Sequence, residues 1–122
     1  MDFAKINLYI EELYRPRSLL SKQELIAKTE LKEFTPVIDD EVARLLQLLI
    51  QIKQPENILE IGTSVGYSAI SMALKANLYG GKITAVEWDK TVAAQARENF
   101  LRAGVSDSIE LVVGDAVSVK LL

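Results

Sequence analysis

Glu60, Gly62, Gly66 and Ser68 stand close together in the run I-L-E-I-G-T-S-V-G-Y-S from Ile58 to Ser68. A carboxylate, two glycines and a serine hydroxyl thus sit where a strand-type run gives way to a helix-type run, Ala69 to Ala76. Strand, tight turn and helix form the unit with which α/β proteins hold a nucleotide-like ligand at the carboxyl end of a strand. Gly62 can take backbone angles closed to other residues and lets a ligand lie against the main chain. Gly66 is expected to let the helix start close to the strand. The first amides of that helix have no internal partners and suit a carboxylate or a phosphate.

Two familiar phosphate loops do not match. A P-loop needs a lysine after its last glycine, where this chain has Tyr67, and a dinucleotide fingerprint needs a glycine where it has Ser64. The pattern E-x-G-x-x-x-G instead suits a ligand with a cationic amino group and a carboxylate, such as the methionine part of S-adenosylmethionine; the alternative is a glycine turn without a ligand. A second acid, Glu87, ends the strand-type run K-I-T-A-V-E. Its distance from Gly62 is close to the ~20 residues at which a carboxylate after the next strand reaches ribose hydroxyls. Alternatively, Glu87 merely closes a strand near a helix cap. A third run, Ile109 to Val113, leads into Gly114-Asp115-Ala116. Asp115 could accept from an exocyclic amine and the Ala116 amide could donate to a ring nitrogen, although G-D-A alone is more often a turn. Three successive strand ends with suitable chemistry are much less expected by chance.

On L-E-I-G-T-S-V-G-Y-S-A-I-S-M-A (Leu59 to Ala73), A-V-E-W-D (Ala85 to Asp89), A-G-V-S-D-S-I-E-L (Ala103 to Leu111) and G-D-A, the chain resembles the first half of a class I S-adenosylmethionine-dependent O-methyltransferase of the catechol and caffeoyl-coenzyme A group. The resemblance spans nearly the whole chain and is weakest over the first thirty or so residues. It implies a site for S-adenosylmethionine or S-adenosylhomocysteine. Gly62 and Thr63 would line the methionine moiety through their backbone, within a loop that includes Ser64 and Gly66. Ser68 would bind the carboxylate with Tyr67 packed beside it, and Glu60 would face the amino end. Glu87 would hold the ribose, Trp88 would lie near the adenine face, and Asp115 and Ala116 would read the adenine edge. Ile38, in P-V-I-D, matches a backbone contact. Ala43 stands where the family usually has glycine, so the start of that helix is expected to differ slightly. The family's divalent metal, usually magnesium, is bound by carboxylates after a fourth strand, which this sequence does not reach. No catalytic or metal ligand is therefore assigned, and the chain alone is expected to transfer methyl groups weakly or not at all. The acceptor is open: a catechol-like molecule, or a hydroxylated transfer-RNA uridine, which the opening I-N-L-Y-I-E-E-L-Y-R-P-R faintly resembles.

Composition narrows the chemistry. The 122 residues contain neither cysteine nor histidine. Thiol nucleophiles, Ser-His-Asp triads and Cys/His zinc sites are thus excluded on this chain, and a cytoplasmic setting is compatible. A net charge of -3 gives no overall pull on nucleic acid. No run approaches the length of a membrane helix, and M-D-F-A-K-I-N-L is no secretory leader.

The periodicity predicts helices over Phe3 to Tyr14, with Ile6, Tyr9, Ile10 and Leu13 in phase, and from an S-x-x-E box at Ser21 and Glu24 toward Phe34. Arg15-Pro16-Arg17 separates them. A third helix, capped by Asp39 or Asp40, runs to about Lys53 with Val42, Leu45, Leu46, Leu49 and Ile50 as its apolar stripe. A fourth, capped by Asp89, runs to Ala103, with Val92, Ala96 and Phe100 inward and Gly104 as its stop. Met72 and Phe100 are read as core. The expected fold is α/β: the first half of a Rossmann-like methyltransferase domain with a parallel sheet ordered 3-2-1. Residues 1–35 form a helical segment, and 36–122 the cofactor-binding half, truncated before the fourth strand. The first strand is then a bare apolar edge, from which a homo-oligomer is expected.

Overall fold

The computed structural model describes residues 2–14, 21–30 and 36–119. Its helices are α1 (Phe3–Tyr14), α2 (Lys22–Ala27), α3 (Asp40–Lys53), α4 (Tyr67–Ala76) and α5 (Lys90–Ala103), and its strands are β1 (Asn57–Ile61), β2 (Lys82–Glu87) and β3 (Ile109–Val113). The strands form one parallel sheet in the order β1-β2-β3, with Ile58 beside Ile83 and Ile83 beside Ile109. The expected Rossmann-like order is therefore present.

Strand alternation puts Ile58, Ile83, Ala85, Ile109 and Leu111 on one face, where they pack with Ala69, Ile70 and Ala73 of α4 and Ala96 and Phe100 of α5. Alanine-rich helix faces let α4 and α5 lie close to the sheet. Met72 and Phe100 are buried as expected, and Asp89 and Gly104 cap α5, the Asp89 carboxylate accepting from the Thr91 and Val92 amides.

Several local expectations change. The second helix begins at its capping box but stops at Ala27 rather than continuing toward Phe34. Its last carbonyls are taken by other groups: the Thr29 hydroxyl donates to Leu25 C=O at 2.7 Å, and Arg102 Nη1 to Lys28 C=O at 2.7 Å. The Arg15-Pro16-Arg17 break, Phe34 and the Leu13 side chain lie outside the described residues. Asp39 is the N-cap residue of α3 yet makes no side-chain cap bond, because its carboxylate pairs with Lys22 Nζ at 2.7 Å. The first turn at Ala43 is nevertheless regular, with its N–H on Asp39 C=O at 3.0 Å. Of the α3 stripe, Leu46 and Ile50 pack on the core, whereas Val42, Leu45 and Leu49 are exposed. The buried sector is the one that meets α4, where Gln47 Nε2 also donates to Ser71 C=O at 3.1 Å.

Among the described residues β1 has a neighbour on one side only, and Leu59 and Ile61 on the sheet face opposite α4 and α5 are 53% and 65% exposed. Unpaired backbone beside exposed apolar side chains templates further strand pairing. The 122-residue chain should therefore self-associate in solution. Light scattering that gives a monomer mass at all concentrations would contradict this.

Candidate cofactor site at the strand ends

The loop after β1 is fastened to the end of β2. The Gly62 and Thr63 amides both donate to Val86 C=O, at 2.8 and 3.1 Å, and Gly66 N–H donates to Thr63 C=O at 2.9 Å. Gly62 has φ +80°, and the space a Cβ would occupy is open, as close approach of a ligand requires. Gly66, at φ +90°, serves a different neighbour from the expected one. A Cβ there would run into Cε1 of Phe100, so this glycine admits the α5 ring rather than the strand.

Glu87 is central. It is 6% exposed, and its carboxylate accepts from Ser64 N–H at 2.9 Å and from Asp89 N–H at 3.1 Å, one on each oxygen. The first bond holds Ser64 in the left-handed region, φ +55°, unusual for a residue with a side chain. Each carboxylate oxygen retains a second lone pair for an outside donor.

Glu60 lies across from it. Its Oε1 accepts from the Ser68 hydroxyl, while Glu60 Oε2, Thr63 Oγ1 and Ser64 Oγ are buried without aligned partners. Burial pushes the Glu60 carboxyl above its usual value; the nearby Ser68 and Thr63 hydroxyls oppose the shift, and the charge on Glu87 adds to it. Orphaned buried acceptors are costly, and here they cluster beside the open face of Gly62. The set fits a ligand carrying an ammonium group. Because Ser68 gives its proton to Glu60, the amides at the start of α4 are the donors left for a ligand carboxylate.

Trp88 follows Glu87 and is 78% exposed. On the third loop Gly114 N–H donates to Glu87 C=O at 2.9 Å, tying it to the second. Asp115 spends part of its capacity locally, accepting from Val117 N–H at 3.0 Å and from the Ser118 hydroxyl at 3.2 Å. Ala116 is half-buried beside it. Tyr67 is buried and turns its hydroxyl to Asp40; burial first and the Asp40 carboxylate second push the phenol well above its ordinary value. Ile38 is half-buried against the core in the segment before α3. The structure thus joins Glu60, the Gly62–Gly66 loop, Ser68 and Glu87 directly, with Trp88 and the Asp115 loop adjoining. Asp40 and Asn99, both bonded around this loop, carry no signal in the sequence, since their partners are distant along the chain. Among the described residues no group of three or more acidic side chains is placed to hold a metal ion.

The family model described as O-methyltransferase matches residues 14–121. The chain belongs to the O-methyltransferase family. A catechol O-methyltransferase from Niastella koreensis is 33% identical over 96% of this chain and 52% of its own length. Two solved structures show the same fold. An O-methyltransferase from Bacillus cereus, in complex with S-adenosylhomocysteine, is 29% identical with a TM-score of 0.66, covering 89% of this chain and 51% of that one. The O-methyltransferase TomG from Streptomyces achromogenes, in complex with S-adenosylmethionine, is 28% identical with a TM-score of 0.74, covering 93% and 50%. This O-methyltransferase-family chain therefore spans about half the length of the relatives it matches.

Proposed function

We propose that this chain binds S-adenosylmethionine across the three strand-end loops and forms the cofactor-holding half of an S-adenosylmethionine-dependent O-methyltransferase. The observation that carries the reading is the cluster of buried oxygens without aligned protein partners, Glu60 Oε2, Thr63 Oγ1 and Ser64 Oγ, beside the open face of Gly62 and opposite the doubly anchored Glu87. Relatives of the same fold that hold this nucleoside or its product support it. Glu60 meets the ammonium group, the Gly62–Ser64 backbone and the α4 amides meet the amino-acid tail, and Glu87 accepts from the ribose diol. Trp88 flanks the base, whose edge Asp115 and Ala116 read, and Ile38 adds a backbone contact. Bound there, the cofactor would supply an electrophilic methyl group: its S–CH3 bond would break as an acceptor hydroxyl forms the O–CH3 bond, leaving S-adenosylhomocysteine and releasing the hydroxyl proton to solvent. The acceptor is a catechol-like hydroxyl or a hydroxylated transfer-RNA uridine, the setting cytoplasmic and the assembly a homo-oligomer. Residues 1–35 are an accessory helical segment to the cofactor-binding part, 36–122.

Titration calorimetry with S-adenosylhomocysteine tests this, and Glu60 gives the test a signature. Above the ordinary 4.5 and below the raised folded value, the apo protein keeps a proton that the unfolded chain releases. Glu60 therefore favours the fold most fully below 4.5, and that contribution is lost as pH rises through the folded value. An ammonium group beside it favours the ionised form. Binding should then expel a proton within this window, and affinity should rise with pH across it. Heats measured in two buffers of different ionisation enthalpy will differ. Identical heats throughout the window would remove Glu60 from the ammonium site, and no heat at any pH would overturn the cofactor reading itself.

A further inference from the structure

Asn99 is 3% exposed on the inward side of α5, next to Phe100. A buried carboxamide is costly unless its donors and acceptor are used. Here Nδ2 donates to Val65 C=O at 2.9 Å and to Thr29 Oγ1 at 3.1 Å, and Oδ1 accepts from Arg102 Nη1 at 3.3 Å. Val65 lies inside the cofactor loop, immediately before Gly66, and is fully buried. Thr29 lies at the end of the segment Ser21–Glu30. The same end is held by Arg102 on Lys28 C=O and by Glu30 N–H donating to Gln95 Oε1 at 3.2 Å. The other end of that segment reaches Asp40, whose Oδ1 accepts from Lys22 N–H at 2.9 Å and from the hydroxyl of Tyr67, the residue immediately after Gly66. Leu25, between the two ends, is buried in the core.

Ser21–Glu30 is thus a strap bonded at both ends to groups that frame the cofactor loop: Val65 through Asn99, and Tyr67 through Asp40. From this geometry, and resting on the proposed cofactor site, we infer that Asn99 is a positioning residue that fixes the loop from behind and couples ligand binding at the strand ends to the seating of the strap. An apolar residue at 99 would fill the same space but leave Val65 C=O facing the interior without a donor. The loop cannot shift at Val65 without breaking its bond to Asn99, whose carboxamide is also bonded to the strap. By linkage, a ligand that fixes the loop tightens the strap, and a loosened strap weakens the ligand.

The test uses the 122-residue chain and S-adenosylhomocysteine. Asn99→Leu keeps the volume and removes the donors, and Thr29→Val removes the acceptor on the strap while leaving Val65 bonded. Asn99→Leu should lower affinity about three- to tenfold, the range for one or two lost neutral hydrogen bonds, and Thr29→Val should lower it less. In the parent chain, ligand should slow amide hydrogen exchange in 21–30 as well as in 62–66, and Asn99→Leu should uncouple the two segments. Because ligand also slows exchange that proceeds through global unfolding, the deciding readout is loss of strap protection in Asn99→Leu while ligand still protects 62–66. Protection of 62–66 without any in 21–30 would overturn the inference, as would parent-like affinity in Asn99→Leu. If the ligand protects neither segment, the cofactor reading fails, and the positioning role is judged without ligand: apo exchange of 62–66 in Asn99→Leu should be faster than in the parent, and equal rates overturn it. Should Asn99→Leu not fold, Thr29→Val carries the same comparison for the strap.

Discussion

Glu87→Ala should weaken S-adenosylhomocysteine binding by about 1.5–3 kcal/mol, the range for hydrogen bonds to a charged group. The carboxylate does two jobs at once. In the proposed site it offers lone pairs to a diol, and it holds the Ser64 and Asp89 amides. Its removal leaves both amides without acceptors and frees Ser64 to abandon its left-handed geometry, so the loop relaxes away from its binding shape. Glu87→Gln tests the division. Its single carbonyl oxygen can accept from one amide only, and its NH2 group faces the other donor. Glutamine should fall between alanine and the parent, closer to alanine. Calorimetry reads the affinity, and amide exchange of Ser64 reads the loop. Alanine binding within about twofold of the parent would remove Glu87 from the site, since even one net neutral bond is worth about 0.5–1.5 kcal/mol.

Gly66→Ala should cost about 2–5 kcal/mol of folding stability. Part is the left-handed backbone, about 1–2 kcal/mol for a residue with a Cβ. The rest is collision with the Phe100 ring, and overpacking a filled core costs about 1–3 kcal/mol. Phe100 is 2% exposed and has nowhere to swing. Adding Phe100→Leu to the alanine variant removes the ring edge and should return part of the loss, while leaving the backbone contribution in place. Urea unfolding of the single and double variants measures this. If the leucine recovers nothing, the ring is not what Gly66 accommodates. On a domain at the low end of about 5–15 kcal/mol of total stability, that loss leaves the alanine variant partly unfolded.

Much of the architecture was legible because it is written locally. The strand ends at Glu87 and Val113, the capping box at Ser21 and Glu24, and the Asp89 and Gly104 caps each depend on neighbours a few residues away. The parallel order followed from strand–helix alternation and crossover handedness. What was not legible depended on distant partners. The α2 helix ends early where Arg102, far along the chain, takes the carbonyl of its C-cap residue Lys28. Asp39 does not cap because Lys22 takes its carboxylate. Three of the five α3 stripe residues, Val42, Leu45 and Leu49, are exposed because α4 covers only the sector of Leu46 and Ile50. In the site, the residue types at Glu60, Gly62 and Glu87 were readable from spacing. The second duty of Glu87, as anchor for the Ser64 amide, was not, nor was the ring of Phe100 behind Gly66. Both arise only when elements far apart in sequence close on one another.

Trp88 is the chain's one tryptophan, and it stands solvent-exposed next to the Glu87 carboxylate. The protein therefore carries a native optical probe at the rim of the proposed cofactor site. Its indole emits in water when the face is bare, and a purine lying against it would shift that emission to the blue and quench it. Occupancy can be followed by ultraviolet fluorescence with no dye attached, and no other indole contributes background.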